Sequence, residues 1–349
     1  MLFSLANSAR AQEAPPPPAP ATTPEPPPAA PAAPVAPAAA AEPAPSADTT
    51  TPAPASEPVA AEAPPAAKPK PPPYSLPWQL RPVAPGNVVR LDSSYAFYKN
   101  PVSNKNGSAL ATSLLGSYKI IPDLALIGRV GLVHNSAPEL PATTKSATSI
   151  LNPVIAGLYG IKLSPSLKLG LFLGVTVPVG TGGGTNPDTN KAAANGVGIS
   201  TRSAFDNAMF AMDYFTVFPG IDFAFVQSGL TLQAEATVFK LTKVRGPGAE
   251  DDSRVNFTTG FHAGYFLLPM LSLGAEIRHQ RWLSTPTPVK NDKTDSIRDT
   301  TTFAVGPRLH FKLSDSIWFR PGISLTLPID DPMKKSEYKV VQLDLPLAF

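Results

Sequence analysis

The stretch "SLKLGLFLGVTVPVG", residues 166–180, places Leu167, Leu169, Leu171, Leu173, Val175, Val177 and Val179 at every second position. Lys168, Gly170, Phe172, Gly174, Thr176 and Pro178 stand between them. A period of two is the signature of a strand whose side chains alternate between two faces. The fold depends on what the apolar row touches: the interior of a soluble sandwich, or hydrocarbon.

Eleven further segments carry the same periodicity. The twelve cover approximately 88–98, 108–120, 124–134, 151–163, 166–179, 214–226, 230–241, 254–267, 270–282, 300–313, 317–327 and 338–349. Each is longer than the ~5–6 residues of ordinary soluble strands and long enough for a tilted bilayer crossing of ~9–11 residues. The connections alternate strictly. Short turns at 121–123, 164–165, 227–229, 268–269 and 314–316 alternate with long loops, the longest at 180–213. Sorting every tight turn to one end is expected of a transmembrane barrel and not of a Greek-key sandwich.

The fold expected is therefore all-β: a closed antiparallel transmembrane β-barrel of about twelve strands over 87–349. Its apolar rows face lipid, and closure satisfies every backbone group in hydrocarbon. An even strand count brings both termini to the turn end. Small residues on the inward rows, Gly170, Gly174, Gly260, Gly264, Gly274 and Gly306, predict a crowded interior. Strands spaced ~4.8 Å and tilted about 40° give a backbone radius of roughly 12 Å, narrower than the open porins.

The remainder of the chain differs in composition. From Pro15 to Pro73, 23 of 59 residues are proline, mixed with Ala, Glu, Thr and Ser. Such a segment cannot bury a core, so 12–86 is expected to be a disordered linker of polyproline II character. Ala9-Arg10-Ala11 before Gln12 fits a signal-peptidase site, but its flank is short; 1–11 is expected to be the remnant of a longer export signal. The chain has 349 residues, a formal charge of +3 and no cysteine. No basic run suggests nucleic acid, no thiolate metal site is available, and no apolar run is long enough for a spanning helix.

Candidate lumen-lining residues follow from the register: Arg129, Asp222, Glu235, His262, Glu276, Arg278, Arg308 and His310. On the inward rows, Arg90, Lys119, Arg129, Lys162, Lys168, Arg254, Arg278, Arg308, Lys312 and Arg320 outnumber Asp92, Asp222, Glu235, Glu276 and Asp344. A water-filled tube with that excess favours anionic solutes. The alternative is that Arg129, Arg278 and Arg308 pair with Glu235, Glu276 and Asp222 inside a plugged barrel. In 180–213, Phe205, Met209 and Met212 fall at helical spacing, so 200–213 is expected to be a helix. It either caps the rim or bears a constriction carrying Arg202, Asp206 and Asp213.

Two resemblances attach to these residues. "YKVVQLDLPLAF" (338–349), with Leu343, Leu345, Leu347 and the terminal Phe349 on one face, is similar to the carboxyl-terminal assembly signal of Gram-negative outer-membrane proteins. It departs from that signal in having Leu343 where many members carry Tyr. The resemblance implies outer-membrane lipid and the barrel-assembly machinery as partners, and a periplasmic amino-terminal segment. The loop 180–213 resembles, in position and length only, the inward-folding loop of general porins.

The expected function is a narrow channel for small polar or anionic solutes. The alternative is a plugged barrel that anchors the Pro-rich arm, with residues 14–73 touching peptidoglycan or a periplasmic protein. A remote third reading rests on His134 and Ser136, spaced as in outer-membrane phospholipases, with Asn152 as the nearest third group. The Asn-Gly that follows the phospholipase serine is replaced by Ala137-Pro138. No enzyme, cofactor or metal site is expected.

Overall fold

The computed structural model describes residues 74–101, 103–138, 145–246, 251–294 and 296–349. The predicted export-signal remnant and the Pro-rich stretch through residue 73 lie outside the described residues.

The strands are β1 (Val88–Lys99), β2 (Asn106–Ile121), β3 (Leu124–Ser136), β4 (Ala147–Ile150), β5 (Val154–Lys162), β6 (Leu167–Thr176), β7 (Tyr214–Gln227) and β8 (Leu230–Lys243). They continue with β9 (Ser253–Leu268), β10 (Leu271–Trp282), β11 (Asp299–Leu309), β12 (Phe311–Lys312), β13 (Trp318–Phe319), β14 (Gly322–Pro328) and β15 (Lys339–Ala348). β4 with β5, β11 with β12, and β13 with β14 are single staves interrupted briefly, so the sheet is a 12-stranded antiparallel barrel. It closes where β1 pairs with β15, from Val88 opposite Ala348 to Phe97 opposite Lys339. Closure leaves no sheet edge, which a lipid-embedded sheet requires.

The hairpins at one end are tight, as the spacing predicts. β7 and β8 are joined by Ser228 and Gly229, with φ of 50° and 84°. Two successive positive φ values make the primed turn whose twist matches that of the flanking strands. Both barrel ends of the chain lie here, where the Phe349 amide donates to the Asn87 carbonyl at 3.1 Å. The opposite, loop end carries α1 (Thr189–Thr201), α2 (Asn207–Phe210) and α3 (Thr287–Asn291).

The outward row is apolar. Leu171, Leu173, Ile221, Phe223, Phe261, Phe303, Leu325 and Leu343 are all exposed, while the intervening Asp222, His262, Thr302 and Ser324 are buried. Inverting the soluble pattern puts the apolar side chains against hydrocarbon. Phe349 continues the row.

One expectation is corrected. The linker boundary at residue 86 is too late, because Tyr74–Asn87 is packed inside the barrel, with Ser75, Trp78, Leu80 and Val83 at 1% exposure or less. The interior is also not uniformly polar. Ile127, Leu158, Phe172, Phe218, Phe239 and Leu241 point inward from β3 and β5–β8 and form one apolar cluster. Arg90, Asp92, Glu276, Arg278, Arg308 and Asp344 line the arc of β1, β10, β11 and β15, while Arg129, Asp222 and Glu235 share β3, β7 and β8 with the apolar cluster.

Candidate solute pathway

Backbone outside a ladder must find hydrogen-bond partners when it lies at membrane depth. Tyr74–Asn87 finds them in the charged wall. The insert enters at the turn end, where the Ser75 amide donates to Thr231 Oγ1 at 3.0 Å and its hydroxyl to Ser272 at 3.1 Å. Ser272 in turn bonds His310 Nε2 at 2.9 Å. At mid-barrel the Trp78 and Gln79 amides donate to the two oxygens of Glu276. Arg308 donates to the Leu76 and Pro77 carbonyls at 3.0 and 3.2 Å, and Arg90 and Gln342 donate to that of Trp78. The chain then turns back, and Ser117 donates to the Gly86 carbonyl at 2.8 Å before β1 begins.

Arg81 is the insert's own charge. Its guanidinium reaches Asp222 at 3.1 Å and Glu235 at 2.9 Å, lies 4.2 Å above the Phe172 ring, and its amide donates to Glu235 at 2.7 Å. Asp222 and Glu235 are cross-strand neighbours on β7 and β8. Two adjacent buried carboxylates repel unless a cation lies between them. The predicted pairing therefore holds only for Arg278 with Glu276, at 2.6 Å. Arg308 and Arg90 share Asp344, each at 2.5 Å, and Arg129 pairs with Asp206 at 2.7 Å. Arg81 is absent from the inward rows legible in the sequence because it lies on the linker side of residue 86.

The inward glycines mark the insert's course. A Cβ at Gly274 would sit 3.0 Å from the Trp78 ring, and one at Gly170 3.3 Å from the Val83 carbonyl oxygen. His262 lies edge-on to Trp78, ring centres 5.9 Å apart, and 3.5 Å from Glu276.

From the loop end, 177–213 folds into the barrel. Asn152 staples its base by accepting from the Gly180 amide at 2.9 Å and donating to the Ala211 carbonyl at 2.7 Å. Of the expected helix over 200–213 only the single turn α2 is formed. The longer helix of the loop is α1, capped by Asp188, which accepts from the Asn190 and Lys191 amides. It ends at Thr201 because Ser203 and Ala204 adopt φ of 57° and 53°. Such backbone is strained for residues other than glycine and must be held by its surroundings. Arg202 does this, gripping Asp92 with both terminal nitrogens at 2.7 Å while its Nε reaches Asp206 at 2.8 Å. Burial opposes charge on the Asp206 carboxyl, but Arg129 and then Arg202 hold its pKa well below the usual carboxylate range. Phe205, Met209 and Met212 are all buried despite the changed helix. Asp213 lies near the loop's base, 3.3 Å from Arg245, rather than at the narrowest point.

The two inserts divide the remaining space. A cavity of about 260 Å³ runs from the turn-end mouth up to Phe205 and Met209, between the amino-terminal insert and the apolar wall. A second, of about 420 Å³, lies on the loop side, against Phe210, Tyr214 and Trp282. Arg202, Asp206, Arg129 and Asp92 form the charged pin of the septum near which the inserts meet.

His134 and Ser136 sit on β3 at the loop end, with Ser136 Oγ 3.4 Å from His134 Nε2 and Thr148 Oγ1 2.9 Å from Nδ1. Thr148, not Asn152, is the group behind the histidine. The backbone amide beside the serine, that of Ala137, already donates to Ser146 at 3.2 Å, so it is not a free oxyanion donor. His279 makes the same cross-strand bond to Thr301, at 3.0 Å, with no serine beside it.

No protein-family model and no curated protein matches the sequence. Solved structures do. An outer-membrane channel from Pseudomonas putida F1 aligns with a TM-score of 0.50 and 13% identity, over 79% of this chain and 100% of that one. The NanC porin aligns at 0.44 and 8% identity, over 74% of this chain and 98% of its own. The KdgM porin in complex with disordered oligogalacturonate aligns at 0.42 and 9% identity, over 75% and 99%. The Pseudomonas channel spans the whole of its length on this barrel, and the chain therefore has the fold of an outer-membrane β-barrel channel.

Proposed function

We propose that the protein is a narrow outer-membrane channel for small uncharged solutes, held closed by Tyr74–Asn87 from the turn end and by 177–213 from the loop end. The observation carrying this reading is that both inserts lie inside a closed twelve-stranded wall, with unfilled space on either side of their meeting point. A barrel built only as a membrane anchor has no need of either cavity.

The lumen cations Arg90, Arg129, Arg278 and Arg308 are occupied by Asp344, Asp206 and Glu276. This moves the reading from anionic solutes to uncharged ones. Lys119 and Lys162 are exposed and Lys312 pairs with Asp315 at the turn end, so these lysines belong to the rim. The inner cavity, lined by Leu115, Ile127, Leu158, Phe172, Phe218 and Phe239, suits solutes with an apolar body. In this orientation the turn end faces the periplasm, with residues 14–73 there to touch peptidoglycan or a periplasmic protein. Membrane lipid and the barrel-assembly machinery are the partners in assembly.

The plugged-anchor reading draws on the same buried ion pairs, which hold the insert firmly. Planar-bilayer recording separates the two. A channel shows small discrete openings that enlarge when either insert is released; an anchor stays silent in every variant. The channel reading needs no hydrolytic step from His134 or Ser136, and Ser136→Ala is expected to leave conductance unchanged.

A further inference from the structure

We infer that the inner cavity is a binding site for a small anionic amphiphile, its apolar body enclosed beside the amino-terminal insert and its carboxylate held by Arg320 at the turn-end mouth. The cavity of about 260 Å³ has Tyr74, Arg320, Pro346 and Ala348 at that mouth and ends against Phe205 and Met209. Val88 and Asp92 of β1 both line it, so it runs along roughly 13 Å of strand. Between its ends the wall is apolar, with Leu115, Ile127, Leu158 and Phe172 among its side chains.

Every cation along this cavity is answered by a carboxylate except one. Arg81 is held by Asp222 and Glu235, Arg90 by Asp344 and Arg129 by Asp206. Arg320 is half-buried, with its guanidinium 5.1 Å from the centre of the Trp318 ring. Among the described residues none gives its side chain a hydrogen bond or an ion pair. The carboxylates nearby are taken: Asp344 already serves both Arg90 and Arg308, and Asp315 in the adjoining turn pairs with Lys312. The Nε of Arg320 is buried, whereas its terminal nitrogens are accessible at the mouth. A guanidinium partly withdrawn from water without a counterion is costly, and its planar fork matches a carboxylate. An anion seated there lets an apolar tail follow the cavity inward. A cationic head meets repulsion at the same point, and a neutral one leaves the guanidinium unpaired.

The site opens to the turn end, short of the septum at Arg202 and Asp206, so it goes beyond the channel reading and does not depend on which solute crosses. Binding is measured by titration calorimetry on the folded full-length protein in detergent, with octanoate, octanol, octylammonium and acetate as probes. Octanoate is expected to bind saturably and at least about tenfold more tightly than each of the others, the equivalent of one charge-assisted hydrogen bond. Arg320→Gln, still running as a folded barrel on unheated gels, is expected to bind octanoate no better than octanol while keeping its octanol affinity. Arg320→Lys should retain part of the preference. No saturable octanoate binding, acetate binding as tight as octanoate, or a preference over octanol that survives Arg320→Gln would each overturn the site. Silence in bilayers with octanoate binding intact would overturn the channel reading and leave the site standing, and conductance without octanoate binding would overturn the site alone.

Discussion

Leu80 of the amino-terminal insert and Phe205 of the long loop meet over the same bare backbone. A Cβ at Gly260 would lie 2.8 Å from Leu80 Cδ1 and 3.2 Å from Phe205 Cζ. The inserts arrive from opposite mouths, so this contact is the plane at which the lumen is interrupted. Any side chain at Gly260 must displace one of them. Gly260→Leu is expected to raise single-channel conductance while leaving the barrel's heat-induced gel shift in place. An unchanged conductance would show that the inserts do not obstruct current there.

Arg81 is the electrostatic latch of the amino-terminal insert. Arg81→Ala leaves Asp222 and Glu235 buried side by side without their cation, a change of the type that costs about 3–5 kcal/mol. The expected result is loss of the insert from the lumen. Conductance then rises, and limited proteolysis cuts within 74–87 while the barrel remains intact. Lysine at this position retains charge but cannot fork between two carboxylates, so Arg81→Lys should lie between the wild type and alanine.

The septum pin has a pH signature. Asp206 is held below the usual carboxylate range by Arg129 and Arg202, against the opposing effect of burial. A depressed folded-state value means its contribution is complete above the unfolded carboxylate pKa, near 4. It is lost only as pH falls through the lower folded value. The Asp206 contribution should therefore be constant from about pH 8 to pH 5. Asp206→Asn is expected to weaken the grip on Ser203–Ala204 and raise the open fraction across that whole range. A difference between the wild type and Asp206→Asn that changes steeply near neutral pH would contradict this role for Asp206.

The outward row has its own test. Leu173 is 56% exposed on the barrel's outer face. Arginine near the bilayer midplane of a barrel costs about 2–4 kcal/mol. Leu173→Arg should lower folding yield in vesicles but not in a short-chain detergent, where the charge reaches water. Equal yields in both would place Leu173 away from hydrocarbon.

The wall was legible in the sequence and its contents were not, for a physical reason. Alternation in 166–179 or 254–267 is enforced residue by residue by the two faces of a strand, so the register of Phe261, His262 and Arg278 could be read directly. The insert has no periodic ladder to leave such a trace. Pro77, Pro82 and Pro85 continue the composition of the linker, and only the return of large side chains at Tyr74, Leu76, Trp78 and Leu80 marks the change. Gly170, Gly260 and Gly274 announced close packing but not what packs there. In the long loop, the apolar spacing of Phe205, Met209 and Met212 pointed to one helix over 200–213. It misassigned the helix because the left-handed turn at Ser203–Ala204 is imposed by Arg202 and Asp92, which are 110 residues apart.

The most direct test of the closed-channel account is single-channel conductance of the full chain beside a variant in which residues 74–86 are replaced by a Gly/Ser segment of equal length. The account predicts small openings in the full chain and a severalfold larger conductance in the variant, reduced little by the linker. Equal conductance in the two, or silence in both folded proteins, would contradict it.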